Sequence, residues 1–189
     1  VDQNTTYVKI ASHVQRSVQY DVHVHADLLI TAHLTVTYTN DQPDLDPRIG
    51  FTSDFRDFAR VYVPLGSTLL SAAGFDAPLT TSSEAGHTVF GGYLIVPMAS
   101  TRVVTLVYHL PATVLGSELG SAYQLTLQKQ AGTPDLPFTL SLQLPRGTRV
   151  SMPSGAEMPT IAAMVVRDRS FRLDFGGGPL ARIVALLPG

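Results

Sequence analysis

Asp21, His23 and His25 stand two residues apart, and His33 follows beyond a short break, with Thr31 and Thr35 on either side of it. Imidazole nitrogens and carboxylate oxygens bind zinc and related transition ions when three or four of them converge at about 2.0 to 2.2 Å. Asp21, His23, His25 and His33 are therefore the transition-metal candidates. The same spacing also builds a solvated strand face, on which a cross-strand His/Asp pair contributes roughly 0.2 to 1 kcal/mol. Both readings need the same hairpin to position them.

A second acidic group lies between Asn40 and Asp57, comprising Asp41, Asp44, Asp46, Asp54 and Asp57. Calcium takes about six to eight oxygens, and carboxylates with backbone carbonyls in an irregular inter-strand loop supply them, so Asp41, Asp44 and Asp46 are the calcium candidates. Pro43, Pro47 and Gly50 also suit a long turn. The glycine and closing glutamate of an EF-hand loop are not at the required spacing. No nucleophile elbow, zinc-protease helix or phosphate-binding loop occurs, and Gly176-Gly177-Gly178-Pro179 follows a strand pattern with no helix behind it. No catalytic residue is assigned, and no cofactor is expected apart from the calcium alternative. The enzymatic alternative is a metal-dependent hydrolase on the His/Asp face.

The elements that carry these residues read as strands. Val18, Tyr20, Val22 and Val24 alternate with Gln19, Asp21, His23 and His25, and Ile30, Ala32, Leu34, Val36 and Tyr38 alternate with polar residues in the next run. A three-residue loop at Ala26-Asp27-Leu28 pairs Val24 with Ile30 and Asp21 with His33. A two-residue loop would put the apolar sets on opposite faces. Further strands are expected at 56–64, 67–73, 87–96, 101–110, 121–130, 136–144, 161–167, 170–175 and 180–187. Helical spacing is not sustained anywhere, and 13 prolines and 15 glycines interrupt the chain at short intervals. The expectation is an all-β protein, an antiparallel, immunoglobulin-like β-sandwich.

Composition narrows the partners. At 189 residues with 44% hydrophobic and 15% charged side chains, the chain buries a core rather than staying disordered. A net charge of -2 without a basic cluster gives no footprint for nucleic acid. The absence of cysteine removes disulfides and thiolate chemistry but leaves the compartment open. The apolar runs Tyr93–Ala99 and Ile183–Leu187 fall short of the roughly 20 residues a membrane helix needs, so the chain reads as soluble. It opens on Val rather than Met, which leaves room for an upstream signal or anchor.

Val61-Tyr62-Val63-Pro64-Leu65-Gly66-Ser67, closing on Gly74, matches Leu142-Gln143-Leu144-Pro145-Arg146-Gly147-Thr148, closing on Gly155, at identical spacing. In each, a strand stops at a proline, a glycine takes the turn and a second strand leaves with a hydroxyl residue. This suggests two tandem units, 1–111 and a smaller 112–189, with one large sandwich over 1–189 as the alternative.

Four stretches carry a resemblance: residues 55–67, Thr88-Val89-Phe90-Gly91-Gly92-Tyr93, Val107-Tyr108-His109-Leu110-Pro111 and Gln128-Lys129-Gln130-Ala131-Gly132-Thr133. Together they resemble the C-terminal, extracytoplasmic part of bacterial proteins that carry domain of unknown function 4012, over about Tyr20 to Arg149. That resemblance implies a β-rich region displayed at the bacterial cell surface and anchored by a membrane helix upstream of this chain. It transfers no catalytic residues. The expected role is structural or interactive, with a protein or cell-wall polysaccharide as partner. A carbohydrate-binding module is the second reading and the metal-dependent enzyme the third.

Overall fold

The computed structural model describes residues 1–5, 11–27, 29–41, 54–115, 122–150 and 159–176. Strands β1 (Asp2–Asn4), β2 (Val14–Val24), β3 (Ile30–Asn40) and β4 (Phe55–Pro64) are followed by β5 (Thr68–Ala73), β6 (Thr80–Glu84) and β7 (His87–Val96). Then come β8 (Ser100–Leu110), β9 (Ala122–Leu127), β10 (Leu136–Gln143), β11 (Arg149–Val150), β12 (Thr160–Val165) and β13 (Arg169–Gly176). Two short 3-10 turns, Ala11–His13 and Ala112–Leu115, are the only helical elements among the described residues. None is long and apolar enough to cross a membrane.

Alternation dictates how the sheets pack. Tyr20, Val22 and Val24 of β2 point inward with Ile30 and Ala32 of β3 and Leu106, Tyr108 and Leu110 of β8. They meet Val63 and Phe90 from β4 and β7, and Tyr123, Phe171 and Leu173 from β9 and β13. A six-stranded sheet in the order β12-β10-β2-β3-β8-β5 thus faces a four-stranded sheet, β1-β4-β7-β6, and a three-stranded one, β11-β13-β9. The result is sandwich-like and all-β. Its sheets are not purely antiparallel as expected, because β10 runs parallel to β2, pairing Leu140 with Tyr20. A parallel neighbour needs a long crossover, and here the whole stretch from β3 to β9 intervenes.

That pair joins residues from both sides of Pro111 in one sheet, and the larger core also draws on both sides, with Tyr20 and Val22 packed among Phe138, Leu140 and Phe171. The matched turns do share a local geometry. Ser67 N donates to Pro64 O at 3.1 Å and Thr148 N to Pro145 O at 3.2 Å, with Gly66 and Gly147 at φ 91° and 84°. The strands entering them occupy different places, since β4 belongs to the four-stranded sheet and β10 sits inside the six-stranded one. Gly155 and the strand expected at 180–187 lie outside the described residues.

The Gly91-Gly92 pair has a packing reason. A Cβ on Gly91 would stand 2.9 Å from Phe58 Cζ, and one on Gly92 would stand 2.5 Å from Phe75 Cδ1. Because successive residues face opposite sides of β7, each glycine leaves room for one aromatic ring, Phe58 outside and Phe75 toward the core.

Candidate functional site

The β2–β3 hairpin has the register that alternation dictates, with Asp21 opposite His33, His23 opposite Thr31 and Val24 opposite Ile30. His25 N donates to Leu29 O at 2.8 Å and closes the loop, where Asp27 Oδ1 accepts from Leu29 N at 3.1 Å. The polar set shares the outer face of the six-stranded sheet, but its members engage separate partners. Asp21 Oδ2 accepts from Gln19 Nε2 at 2.8 Å, and His25 Nε2 lies 3.2 Å from Thr31 Oγ1. The His23 and His25 rings lie against each other tilted by 37°, with centroids 3.9 Å apart. Burial lowers the His23 pKa, and the charges of His25 and His33 lower it further.

A fourth histidine, His109 on β8, pairs with Thr31 in the same row. It escaped sequence reasoning because β8 joins β3 only through a long-range pairing. His23 and His109 are separated by a whole strand, about 10 Å at the usual sheet spacing. Among the described residues no group of three or more His, Asp or Glu side chains is arranged to hold a metal ion.

Of the acids between Asn40 and Asp57, Asp44 and Asp46 lie outside the described residues, and Asp41 follows the end of β3. Asp54 ties the approach to β4, accepting from Met98 N at 3.3 Å and lying 3.6 Å from Arg56 Nη2. Asp57 is not a loop residue. It sits on β4 in phase with Phe55 and Ala59 and is fully buried.

Around Asp57 the chain gathers a buried polar cluster. Asp2 enters from β1, with Arg16 Nε of β2 lying 2.6 Å from its Oδ2 and Tyr38 OH of β3 donating to its Oδ1 at 2.9 Å. The Arg16 contact is an ion pair by distance, although its N–H misses the alignment of a hydrogen bond. The guanidinium also lies over the rings of Tyr38 and Phe55, 5.6 and 5.2 Å from their centroids. Neither Asp57 oxygen accepts a hydrogen bond among the described residues. A proton on Asp57 would give it a donor toward the neighbouring Asp2 carboxylate. Burial pushes its pKa up to about 8, and the charge and hydrogen bond of Asp2 add to the rise while Arg16 opposes it. The same cluster raises the Tyr38 pKa, chiefly through burial. Gln130 clamps the free side of β1, with Asp2 N donating to Gln130 Oε1 at 2.9 Å and Gln130 Nε2 donating to Asp2 O at 2.8 Å.

An open recess of about 550 Å³ lies beside Gln130, lined by Lys129, Thr133, Asp135 and Arg167. Lys129 Nζ donates to Gln130 O, Thr133 O and Thr133 Oγ1 at 3.2, 2.7 and 2.8 Å, so its ammonium holds the loop together.

The outer side of the four-stranded sheet carries Phe58 directly across from Tyr93. Tyr62 follows on β4, with the Arg60 guanidinium 5.7 Å from its ring centre and His87 edge-on at 6.2 Å. Arg60 is itself paired with Glu84 at 3.2 Å.

No protein-family model matches the sequence, and no curated protein matches it either. Among solved structures, the chain is similar to a proposed nutrient binding protein from Legionella pneumophila, with 9% identity and a TM-score of 0.52, covering 93% of this chain and 70% of that one. Weaker likenesses reach an M1 zinc metallopeptidase from Deinococcus radiodurans, with 12% identity, a TM-score of 0.38 and 92% and 44% of the two chains covered. They also reach leukotriene A4 hydrolase from Saccharomyces cerevisiae, with 7% identity, a TM-score of 0.43 and 92% and 32% covered. This chain spans less than half of either enzyme. The Legionella likeness is one of fold, and the other two carry no functional argument.

Proposed function

We propose that this chain is a non-catalytic, immunoglobulin-like β-sandwich module of a bacterial cell-surface protein, displayed outside the cytoplasm, with a structural or interaction role. The observation that carries this reading is the inward direction of its polar chemistry. Asp2, Arg16, Tyr38 and Asp57, one from each of the first four strands, gather inside the fold, and the Lys129 ammonium is engaged by its own loop. The surface location rests on the resemblance of residues 55–67, 88–93, 107–111 and 128–133 to the family carrying domain of unknown function 4012. An epitope inserted at the exposed Ala85-Gly86 turn of the full-length protein tests it. Antibody labelling of intact cells is the expected result, and labelling only after permeabilisation would reject the surface location. Turnover of a substrate traced to a defined pocket would reject the non-catalytic part.

The Phe58, Tyr62 and Tyr93 row favours a second reading, a carbohydrate-binding module for cell-wall or exopolysaccharide. Sugar rings stack on half-buried aromatic faces, and the neighbouring Arg60–Glu84 pair offers a donor and an acceptor for hydroxyl groups. The expected result is binding on a glycan array that falls by at least about tenfold in the Tyr62→Ala/Tyr93→Ala double variant, equivalent to about 1.4 kcal/mol. Binding that is absent, or indifferent to both tyrosines, would remove this reading.

A further inference from the structure

The geometry points to β1 as a proton-dependent latch: it stays docked on β4 while the Asp2/Asp57 carboxyl pair holds one proton, and it releases when that proton leaves. The count of charges carries the idea. Asp2 enters as an anion and is matched by one guanidinium, that of Arg16, and by the Tyr38 hydroxyl. Asp57 is 0% exposed, its oxygens accept no hydrogen bond among the described residues, and Asp2 is the carboxyl beside it. The groups facing it are Asp2 and the Val1 ammonium from β1, Arg16 from β2 and Tyr38 from β3, while its partner on β7 is the apolar Leu94. A second negative charge there would sit away from water, with Arg16 already paired to Asp2 and, among the described residues, only the Val1 ammonium left to meet it.

The element best able to relieve that repulsion is β1. It has three residues, lies at the edge of its sheet and carries Asp2 with it. It is paired on one side only by protein strand, through the β4 ladder from Asp57 to Ala59 and the flanking bonds Arg60 N to Val1 O at 2.8 Å, Val1 N to Arg60 O at 2.8 Å and Thr5 N to Arg56 O at 2.9 Å, while Gln130 holds the outer side. Release exposes the β4 edge from Arg56 to Arg60, a row of unpaired amides and carbonyls of the kind that accept an added strand.

The sign follows from linkage. The Asp57 pKa is raised from 3.8 to about 8, so the folded state binds more protons than the unfolded chain between those values. Stability therefore declines as pH rises through that window, and the cost is complete above it.

Amide hydrogen exchange on the intact chain tests the latch, read at Arg60 and corrected for intrinsic exchange. In the wild type, Arg60 protection is expected to fall by at least about tenfold from about pH 7 to about pH 9, while the amide of Tyr20 in the central sheet holds. Asp57→Asn keeps a donor to Asp2 at every pH and should leave Arg60 protection flat. Equal pH dependence in both proteins would overturn the latch. Should Asp57→Asn fail to fold, the carboxyl carbon shift of Asp57 in the wild type decides: titration near pH 8 supports the proposal, and an Asp57 already ionised at about pH 6 ends it.

Discussion

Arg16→Met is expected to cost about 3 to 5 kcal/mol at neutral pH, measured by urea unfolding. Methionine keeps the aliphatic stem but not the guanidinium that lies over Tyr38 and Phe55, so the loss reports the charge together with its contact to the two rings. With the guanidinium gone, Asp2 is left as an anion whose side chain is only 13% exposed, beside the buried Asp57. Adding Asp2→Asn removes that anion, and the Arg16→Met/Asp2→Asn pair should recover to within about 2 kcal/mol of the wild type. A single-variant loss below about 1 kcal/mol would mean that water reaches the cluster and that Arg16 and Asp2 behave as a surface pair.

Two of the three ionisable acid and base residues of this cluster were legible in a way that composition hides. Arg16 falls in phase with Val14, Val18 and Tyr20, and Asp57 falls in phase with Phe55, Ala59 and Val63. A charge on an inward position of an alternating run is a signal that two such charges meet. Reading Asp57 as one of a group of loop acids lost that phase. The hairpin register was readable because a slip of one residue turns the whole apolar set outward. Strand β6, Thr-Thr-Ser-Ser-Glu, has no apolar residue to alternate and is exposed throughout, so it forms only because β7 offers it an edge. The parallel β2–β10 pair was beyond local pattern, since both strands alternate correctly for either direction. The local geometry of the repeated Pro-x-Gly turn is reproduced, yet turn chemistry does not choose the sheet that a strand joins.

Gly74→Ala should cost about 3 kcal/mol or more, whereas Gly66→Ala should cost only about 1 to 2 kcal/mol. Both glycines have left-handed backbone, with φ of 84° and 91°, so strain alone would make them equal. They differ in what a methyl group meets. At Gly66 nothing lies within 4 Å, while at Gly74 the Cβ would stand 2.1 Å from the Val103 carbonyl oxygen and 2.9 Å from Val104 Cα, both backbone atoms of β8. The turn around Gly74 has little freedom to move aside. Arg102 Nε donates to Gly74 O at 2.7 Å and Arg102 Nη2 pairs with Asp76 Oδ1 at 2.9 Å. Asp76 Oδ2 accepts from Ile95 N at 2.6 Å, which fixes the turn to β7 as well as to β8. Urea unfolding of the two variants side by side, with matching m-values, compares the clash with the strain it is added to. Equal losses would show that the 74–76 turn relaxes and that its ties to Arg102 and Ile95 are too weak to hold it against β8.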